Sequence, residues 1–366
     1  MALHVIVLFA LGIIHQVQGL YLSHRDGEGC RVKSLRKPWQ DLTDLQRASY
    51  INSTLCLMDS PGQQTIPGAK TLWDELHYAH IAQATYIHFV GSFLPWHRYF
   101  LVVHETLLRR ECGYNGPMPY WNEVADVDDL NNALVLDVKT GFGGNGEGPN
   151  HCVADGPFVN LRFQFKEDLT IAESPSCLVR NISDCSFTGA SRTNLDACLA
   201  ARTYDEVWHC LEAKPHIAGH WGIGGTMSNT RLSPGDPLFF LHHAWLDRLW
   251  WLWQSQDLPT RLKEIGGANI PVDDSDSPAG NGASSASGNE TSSPSCSAPM
   301  GGAGGASRGH GGGGTSKPNK GLIDYFNDGG NTTTLDHTLW SARILPNVTI
   351  ADVMDLHGAF VCAEYV

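Results

Sequence analysis

No Cys-x-x-Cys pair occurs in this sequence, although it contains ten cysteines, at positions 30, 56, 112, 152, 177, 185, 198, 210, 296 and 362. Zinc knuckles and thioredoxin-type redox sites depend on that spacing, so structural disulfides are the expected use of these thiols. Basic residues are also scarce: 25 Lys and Arg stand against 38 Asp and Glu, the net charge is -13, and no extended Lys/Arg cluster is present. Binding nucleic acid needs a basic face that can neutralise phosphates, so nucleic acid is not an expected partner. After residue 20 no apolar run reaches the ~18 residues of a helical membrane span, so no membrane association is expected of the mature chain. No internal repeat is visible either, which argues against a solenoid or a string of duplicated units.

At the N-terminus, residues 1–20 carry no charge and centre on the apolar run from Val5 to Ile14, too short to cross a bilayer. They read as a signal peptide whose n-region lacks the usual Lys or Arg; a buried N-terminal helix is the alternative. Five Asn-x-Ser/Thr sequons, at Asn52, Asn181, Asn289, Asn331 and Asn347, join the cysteines in pointing to a secreted, N-glycosylated, disulfide-bonded protein. With 366 residues the chain can bury one large core. The expected organisation is a catalytic domain over 21–272, a Gly/Ser-rich flexible insert over 273–320, and a segment 321–366 that packs back on the same core.

Periodicity predicts a helix over residues 71–87, where Leu72, Leu76, Ala79 and Ala84 recur near helical spacing without Pro or Gly. After a break at Gly91-Ser92 a second helix is predicted from Pro95 to Arg110, stopped by Cys112-Gly113. Residues 141–191 read as surface loops pinned by disulfides, and further helices are predicted over 204–211 and 242–254.

Two groups stand out among the 17 histidines: His80, His88 and His97, and then His216, His220 and the pair His242-His243. A His-x-x-x-His pattern arises by chance roughly once in a chain this rich in His, so His216 and His220 alone carry little weight. Geometry adds weight. Residues four apart share a helix face, and eight residues fall about 80° past whole turns, so His80 and His88 can face one side of one helix while His97 arrives from the next. Three-nitrogen sites free of carboxylate and thiolate suit copper or zinc, with copper higher in the affinity order, and two of them on facing helices can share one O₂. A zinc hydrolase would leave the second trio without a use.

Two segments carry a family likeness: His88-Phe-Val-Gly-Ser-Phe-Leu-Pro-Trp-His97-Arg98-Tyr99, and Asp236-Pro-Leu-Phe239-Phe240-Leu-His-His243-Ala-Trp-Leu-Asp247-Arg248-Leu-Trp250. With Cys112-Gly-Tyr and Pro119-Tyr120-Trp121 between them and Gly224-Gly225 after His220, the sequence resembles the type-3 copper tyrosinase and catechol oxidase family, most of all its short secreted fungal members. The resemblance implies a mainly α fold with a four-helix bundle core, few short strands, and a dicopper centre that uses O₂ as co-substrate on small phenols. It implies copper A on His80, His88 and His97 and copper B on His216, His220 and His243, with His77 the rival of His80 and His242 that of His243. It further implies that Phe239 packs on the copper-site histidines, that Glu212 holds a water near copper B, and that Asp236 and Asp247 orient imidazoles; for these two, a turn before Pro237 and a pair with Arg248 are the alternatives. Thr230 and Leu232 are candidates for a gate over copper B.

The chain also departs from the family pattern. Tyr86 stands where fungal members often carry a Cys that forms a thioether, so no such crosslink is expected. Ile217 follows His216, where members that hydroxylate monophenols commonly have Asn, so o-diphenol oxidation with weak monophenol hydroxylation is expected. The chain stops soon after the core, so no C-terminal shielding domain and open access to the site are expected. A full tyrosinase is the alternative function; a hemocyanin-like O₂ carrier would show repeated units.

Overall fold

The computed structural model describes residues 30–270 and 332–366. The expected signal peptide, the Gly/Ser-rich stretch 273–320, and the sequons at Asn289 and Asn331 lie outside the described residues. The mainly α architecture is as expected: α1 (Asp44–Asp59), α2 (Leu72–Ile87), α3 (Phe93–Cys112), α4 (Arg192–Leu199), α5 (Tyr204–Leu211), α6 (Ile217–Ile223) and α7 (Leu238–Gln254) supply the core. No described helix is long and apolar enough to cross a membrane.

Helix starts follow local chemistry. Thr71 Oγ1 accepts from Asp74 N at 3.1 Å while Asp74 Oδ2 accepts from Thr71 N at 3.0 Å, a reciprocal cap that satisfies donors the first turn would leave bare. Thr43 and Thr203 cap α1 and α5 in the same way. Helix α3 begins at Phe93, two residues before the expected start, because Pro95 tolerates any place in a first turn, where its missing N–H has no partner to lose. It ends at Gly113, whose φ of 64° is left-handed. Helix α7 likewise begins before the expected position 242, since Asp236 Oδ1 accepts from Leu238 N at 3.0 Å and sets the first turn there. Helix α1 has no counterpart in the sequence expectations: its buried positions mix Arg47, Ser53 and Thr54 with Tyr50, Ile51 and Leu57, which hides any apolar stripe.

Helix α3 is buried at every position from Phe93 to Leu108 and packs against α1, α2 and α7, so it is the central element of the fold. Three short strands, β1 (Ser34–Pro38), β2 (Met118–Tyr120) and β3 (Ala363–Tyr365), form a parallel sheet in the order β2-β1-β3 beside it. Residues 141–191, expected as loops, contain two antiparallel pairs, Gly146–Glu147 with Cys152–Val153 and Arg162–Phe165 with Ile171–Cys177. Disulfides join Cys56 to Cys112, Cys152 to Cys177, Cys198 to Cys210 and Cys30 to Cys362, and Cys185 is disulfide-bonded as well.

A buried ionic knot holds the C-terminal segment to the central helices. Asp247 of α7 accepts from Arg36 Nη1 at 2.6 Å, from Tyr365 OH at 2.6 Å and from Arg98 Nε. Arg98 of α3 also donates to the carbonyls of Val353 at 3.1 Å and Met354 at 2.9 Å, and lies 3.9 Å over the Trp250 ring. Removing the anion strands two buried guanidinium groups. Asp247→Ala is therefore expected to lower the unfolding free energy by about 3–5 kcal/mol, read from chemical denaturation against the parent chain.

Candidate metal centre

His80 lies in the body of α2 and His97 in the first turns of α3. His88 is different: α2 ends at Ile87, and His88 has extended backbone (φ -122°, ψ 143°) before Phe89 turns left-handed at φ 58°. The expected common helix face for His80 and His88 is thus corrected; the turn, and not helical periodicity, swings His88 inward. Its ring centre lies 5.2 Å from both His80 and His97, and His80 lies 5.8 Å from His97.

The second group forms across a distorted helix. Between α5 and α6, residues Glu212–His216 make a π-turn that contains Pro215. A widened turn of this kind re-aims side chains and is frequent at functional sites. Here it presents Glu212 and His216, after which His220 follows one α-turn later on α6, 4.5 Å from His216 between ring centres. From α7, His243 lies 5.4 Å from each of them. The two groups meet where His97 and His243 stack at 4.1 Å with planes 8° apart. Within each group, one nitrogen per residue lies within 4.8 Å of the others, with His80, His88 and His97 in one and His216, His220, His242 and His243 in the other, all buried.

A common hydrogen-bond pattern orients the rings. Nδ1 of His88 meets Ala84 O at 2.9 Å, that of His97 meets Phe93 O at 2.8 Å, and that of His216 meets Glu212 O at 3.3 Å. Nδ1 of His80 reaches Arg231 O at 3.1 Å and that of His220 reaches Met227 O at 2.6 Å. An N–H donated from Nδ1 leaves the Nε2 lone pair free. Nε2 of His80, His97 and His216, and both nitrogens of His243, are buried without a hydrogen-bond partner. Orphaned polar atoms converging in an apolar interior are costly unless something coordinates them. Burial lowers His88 to about 4 and pushes His80, His97, His216, His220 and His243 well below the ordinary value, so the rings are neutral. Neutral, all-nitrogen nests of this shape fit two copper ions.

Several residues singled out in the sequence fall elsewhere. His77 turns away from the trio, its Nε2 meeting Leu232 O at 3.1 Å and its ring lying against Phe163. His242 points into the second group. Neither Asp236 nor Asp247 touches an imidazole: Asp236 takes both Arg180 Nε at 2.7 Å and Nη2 at 2.9 Å, and Asp247 serves the knot described above. The expected role for these carboxylates is therefore corrected, and Asp247 does not pair with Arg248 either, whose guanidinium lies over Tyr120 and Trp245. A buried Arg needs a carboxylate more than a neutral imidazole does, since the imidazoles can use carbonyls. Phe239 lies between the groups, 5.1 Å from His80 and 4.1 Å from His243. Phe93, not anticipated, does the same, 4.8 Å from His97 and 4.7 Å from His216. Glu212 is buried, accepts from Phe89 N at 2.8 Å through Oε1, and is pushed up to about 8 by burial. Ile217 is 39% exposed. Thr230 is exposed, and the carbonyls of Arg231 and Leu232 beside it hold His80 and His77.

Two facing groups of buried histidines in a helical core, three in one and four in the other, give the chain the makings of a dinuclear metal site. The profile of the common central domain of tyrosinase matches residues 70–256, which include all of these histidines. The tyrosinase-like protein phomQ1' of Diaporthe leptostromiformis is 34% identical over 68% of this chain and 72% of its own length, and tyrosinase ustQ of Aspergillus flavus is 32% identical over 66% and 69%. A mutant form of a polyphenol oxidase from Thermothelomyces thermophila shares the fold with a TM-score of 0.68 at 21% identity, over 98% of this chain and 94% of the other. The chain belongs to the tyrosinase family, the type-3 copper enzymes that oxidise phenolic compounds.

Each buried neutral histidine ties stability to pH. Burial lowers His77 and His88 to about 4 in the folded chain, against an ordinary value of about 6.5, so the unfolded chain binds more protons below pH ~6.5. The copper-free protein is expected to be fully stable above pH ~6.5 and to lose stability progressively as the pH falls towards about 4, measured by denaturant midpoints across that range. A midpoint flat from pH 7 to 4 would contradict the buried, neutral state of these rings.

Proposed function

We propose that the chain is a secreted catechol oxidase that converts o-diphenols to o-quinones, with copper A on His80, His88 and His97 and copper B on His216, His220 and His243. The observation that carries this reading is the facing pair of nests with unpartnered nitrogens, closed by the His97–His243 stack. Two bound copper ions would supply the two-electron redox chemistry and the means of using O₂. Overall, two diphenols and one O₂ give two quinones and two waters, each diphenol losing two electrons and two protons.

The protein's part is to hold and exclude. Carbonyls on Nδ1 fix five of the six ligand rings, and burial keeps them unprotonated. Phe93 and Phe239 wall the space between the nests and keep water from the ligand nitrogens. Glu212 Oε1 is engaged by Phe89 N–H, and Oε2 is the oxygen that would hold a water near copper B. A diphenol needs little more, because its second hydroxyl supports binding. A monophenol must be deprotonated and placed by the protein, and the aliphatic side chain of Ile217 offers no atom for that work.

Secretion is supported by the disulfides, which persist in oxidising compartments, and by the exposed positions of Asn52, Asn181 and Asn347 as glycan acceptors. The test is to load the protein with copper and assay catechol and a monophenol side by side. Catechol turnover should exceed monophenol hydroxylation by at least about tenfold, equivalent to ~1.4 kcal/mol in barrier, and Ile217→Asn should narrow the gap by raising the monophenol rate. Equal rates in the parent would overturn the diphenol preference, and absence of copper uptake would overturn the dicopper reading. His97→Ala should cut bound copper from two ions per chain to about one, with far-UV circular dichroism unchanged; full copper content would refute the ligand assignment.

A further inference from the structure

Behind the second histidine group lies a carboxylate that no step above uses. Glu123 follows β2, in a stretch tied to α7 by a hydrogen bond from Trp121 N to Leu241 O at 3.0 Å. Its side chain is fully buried, and Oε1 is bonded to Nδ1 of His242, 119 residues away in sequence. The far nitrogen of that ring, Nε2, is buried without a hydrogen-bond partner, and one nitrogen of His242 lies within 4.8 Å of one nitrogen of each of His216, His220 and His243. The ring itself stacks on His216 at 5.6 Å and 23° and meets His220 edge-on at 4.6 Å.

The bond exists because position 219 is glycine. A Cβ there would fall 2.3 Å from both Nδ1 and Cε1 of His242 and 2.8 Å from Glu123 Oε1. Gly219 lies inside α6 with ordinary helical backbone, so no left-handed conformation calls for glycine. Glycine in a helix interior costs about 1 kcal/mol relative to alanine, and here that cost leaves room for the Glu123–His242 pair between His216 and His220 on one helix and α7 on the other. The contrast with the neighbouring histidine points the same way: five copper-site rings have Nδ1 anchored to a carbonyl, His242 has Nδ1 anchored to a carboxylate, and His243 has neither nitrogen anchored.

Resting on the dicopper reading, we infer that Glu123 is a positioning residue for copper B, acting through His242, whose ring it locks as a brace against His216 and His220, with Gly219 providing the clearance. Outer partners of this kind set how tightly a metal is held, and their loss typically costs about 10–100-fold in metal affinity. The brace does not touch the His80, His88 and His97 nest, so its loss should fall on one ion of two.

The test measures copper per chain by elemental analysis, and the rate at which a chelator removes each ion, in Glu123→Ala, Glu123→Gln and Gly219→Ala. Glu123→Ala should release one of its two coppers at least about tenfold faster than the parent, with the other ion leaving at the parent rate. Glu123→Gln keeps a side chain of the same shape that can hydrogen-bond Nδ1, and should restore near-parent retention. Gly219→Ala breaks the same contact from the opposite helix, should reproduce the Ala phenotype, and provides a second lesion if Glu123→Ala does not fold. Two slowly released coppers in Glu123→Ala, a Gln variant as leaky as the Ala variant, or a Gly219→Ala chain that retains copper like the parent would each overturn the inference while the dicopper reading stands. A parent chain that takes up no copper would sink that reading and the brace with it.

Discussion

The constraint on which the rest depends is the orientation of uncharged imidazoles inside an apolar core. Burying a histidine drives off its proton, and a neutral ring offers one donor and one acceptor that both need a use. The fold gives the donor to a carbonyl and leaves the acceptor facing inward, as for His80 with Arg231 O and His97 with Phe93 O. Repeated over two groups, that arrangement turns an expensive set of buried polar atoms into two nests. Local geometry serves it throughout: the end of α2 at Ile87 and the left-handed Phe89 bring in His88, and the π-turn at Glu212–His216 brings in His216.

A nest is useful only if its helices keep their distance, and here the packing is supplied from outside the site. Arg98 immediately follows His97, and Asp247 lies one turn beyond His243, so their ion pair joins α3 to α7 next to the residues whose rings stack between the two histidine groups. Arg36 and Tyr365 close the same knot from β1 and β3, and the disulfide from Cys30 to Cys362 holds those strands together. The C-terminal segment thus belongs to the mechanical support of the metal centre, through Arg98 as much as through the sheet. The two buried Arg–Asp pairs also explain why neither aspartate orients an imidazole: each is committed to a cation that could not be buried without it.

How much was legible in the sequence follows from which interactions carry a local signal. Helices α2 and α5 show in the sequence as stretches without Pro or Gly, α2 with apolar residues at helical spacing, and their observed bounds fall close to expectation. The histidine groups stand out because residue type and spacing are written in the chain. Helix α1 stayed hidden because its buried side mixes polar and apolar residues. Phe93 and Glu123 went unnoticed because only contacts with residues far along the chain set them apart.

By itself, then, the sequence determined the helical class, the number and spacing of the imidazoles, and hence the kind of metal chemistry, since these depend on composition and on periodicity along one chain. Only the tertiary structure decided how each ring is aimed. His80 enters the first nest because a carbonyl 151 residues away holds its Nδ1, while His77, three residues earlier, is drawn out by Leu232 O. His242 joins the second group because Glu123 reaches it across a gap that Gly219 keeps open. Carbonyls are identical at every position in a chain, so no residue code marks which of them will hold a ring; the approach of distant backbone does, and that exists only once the chain has packed.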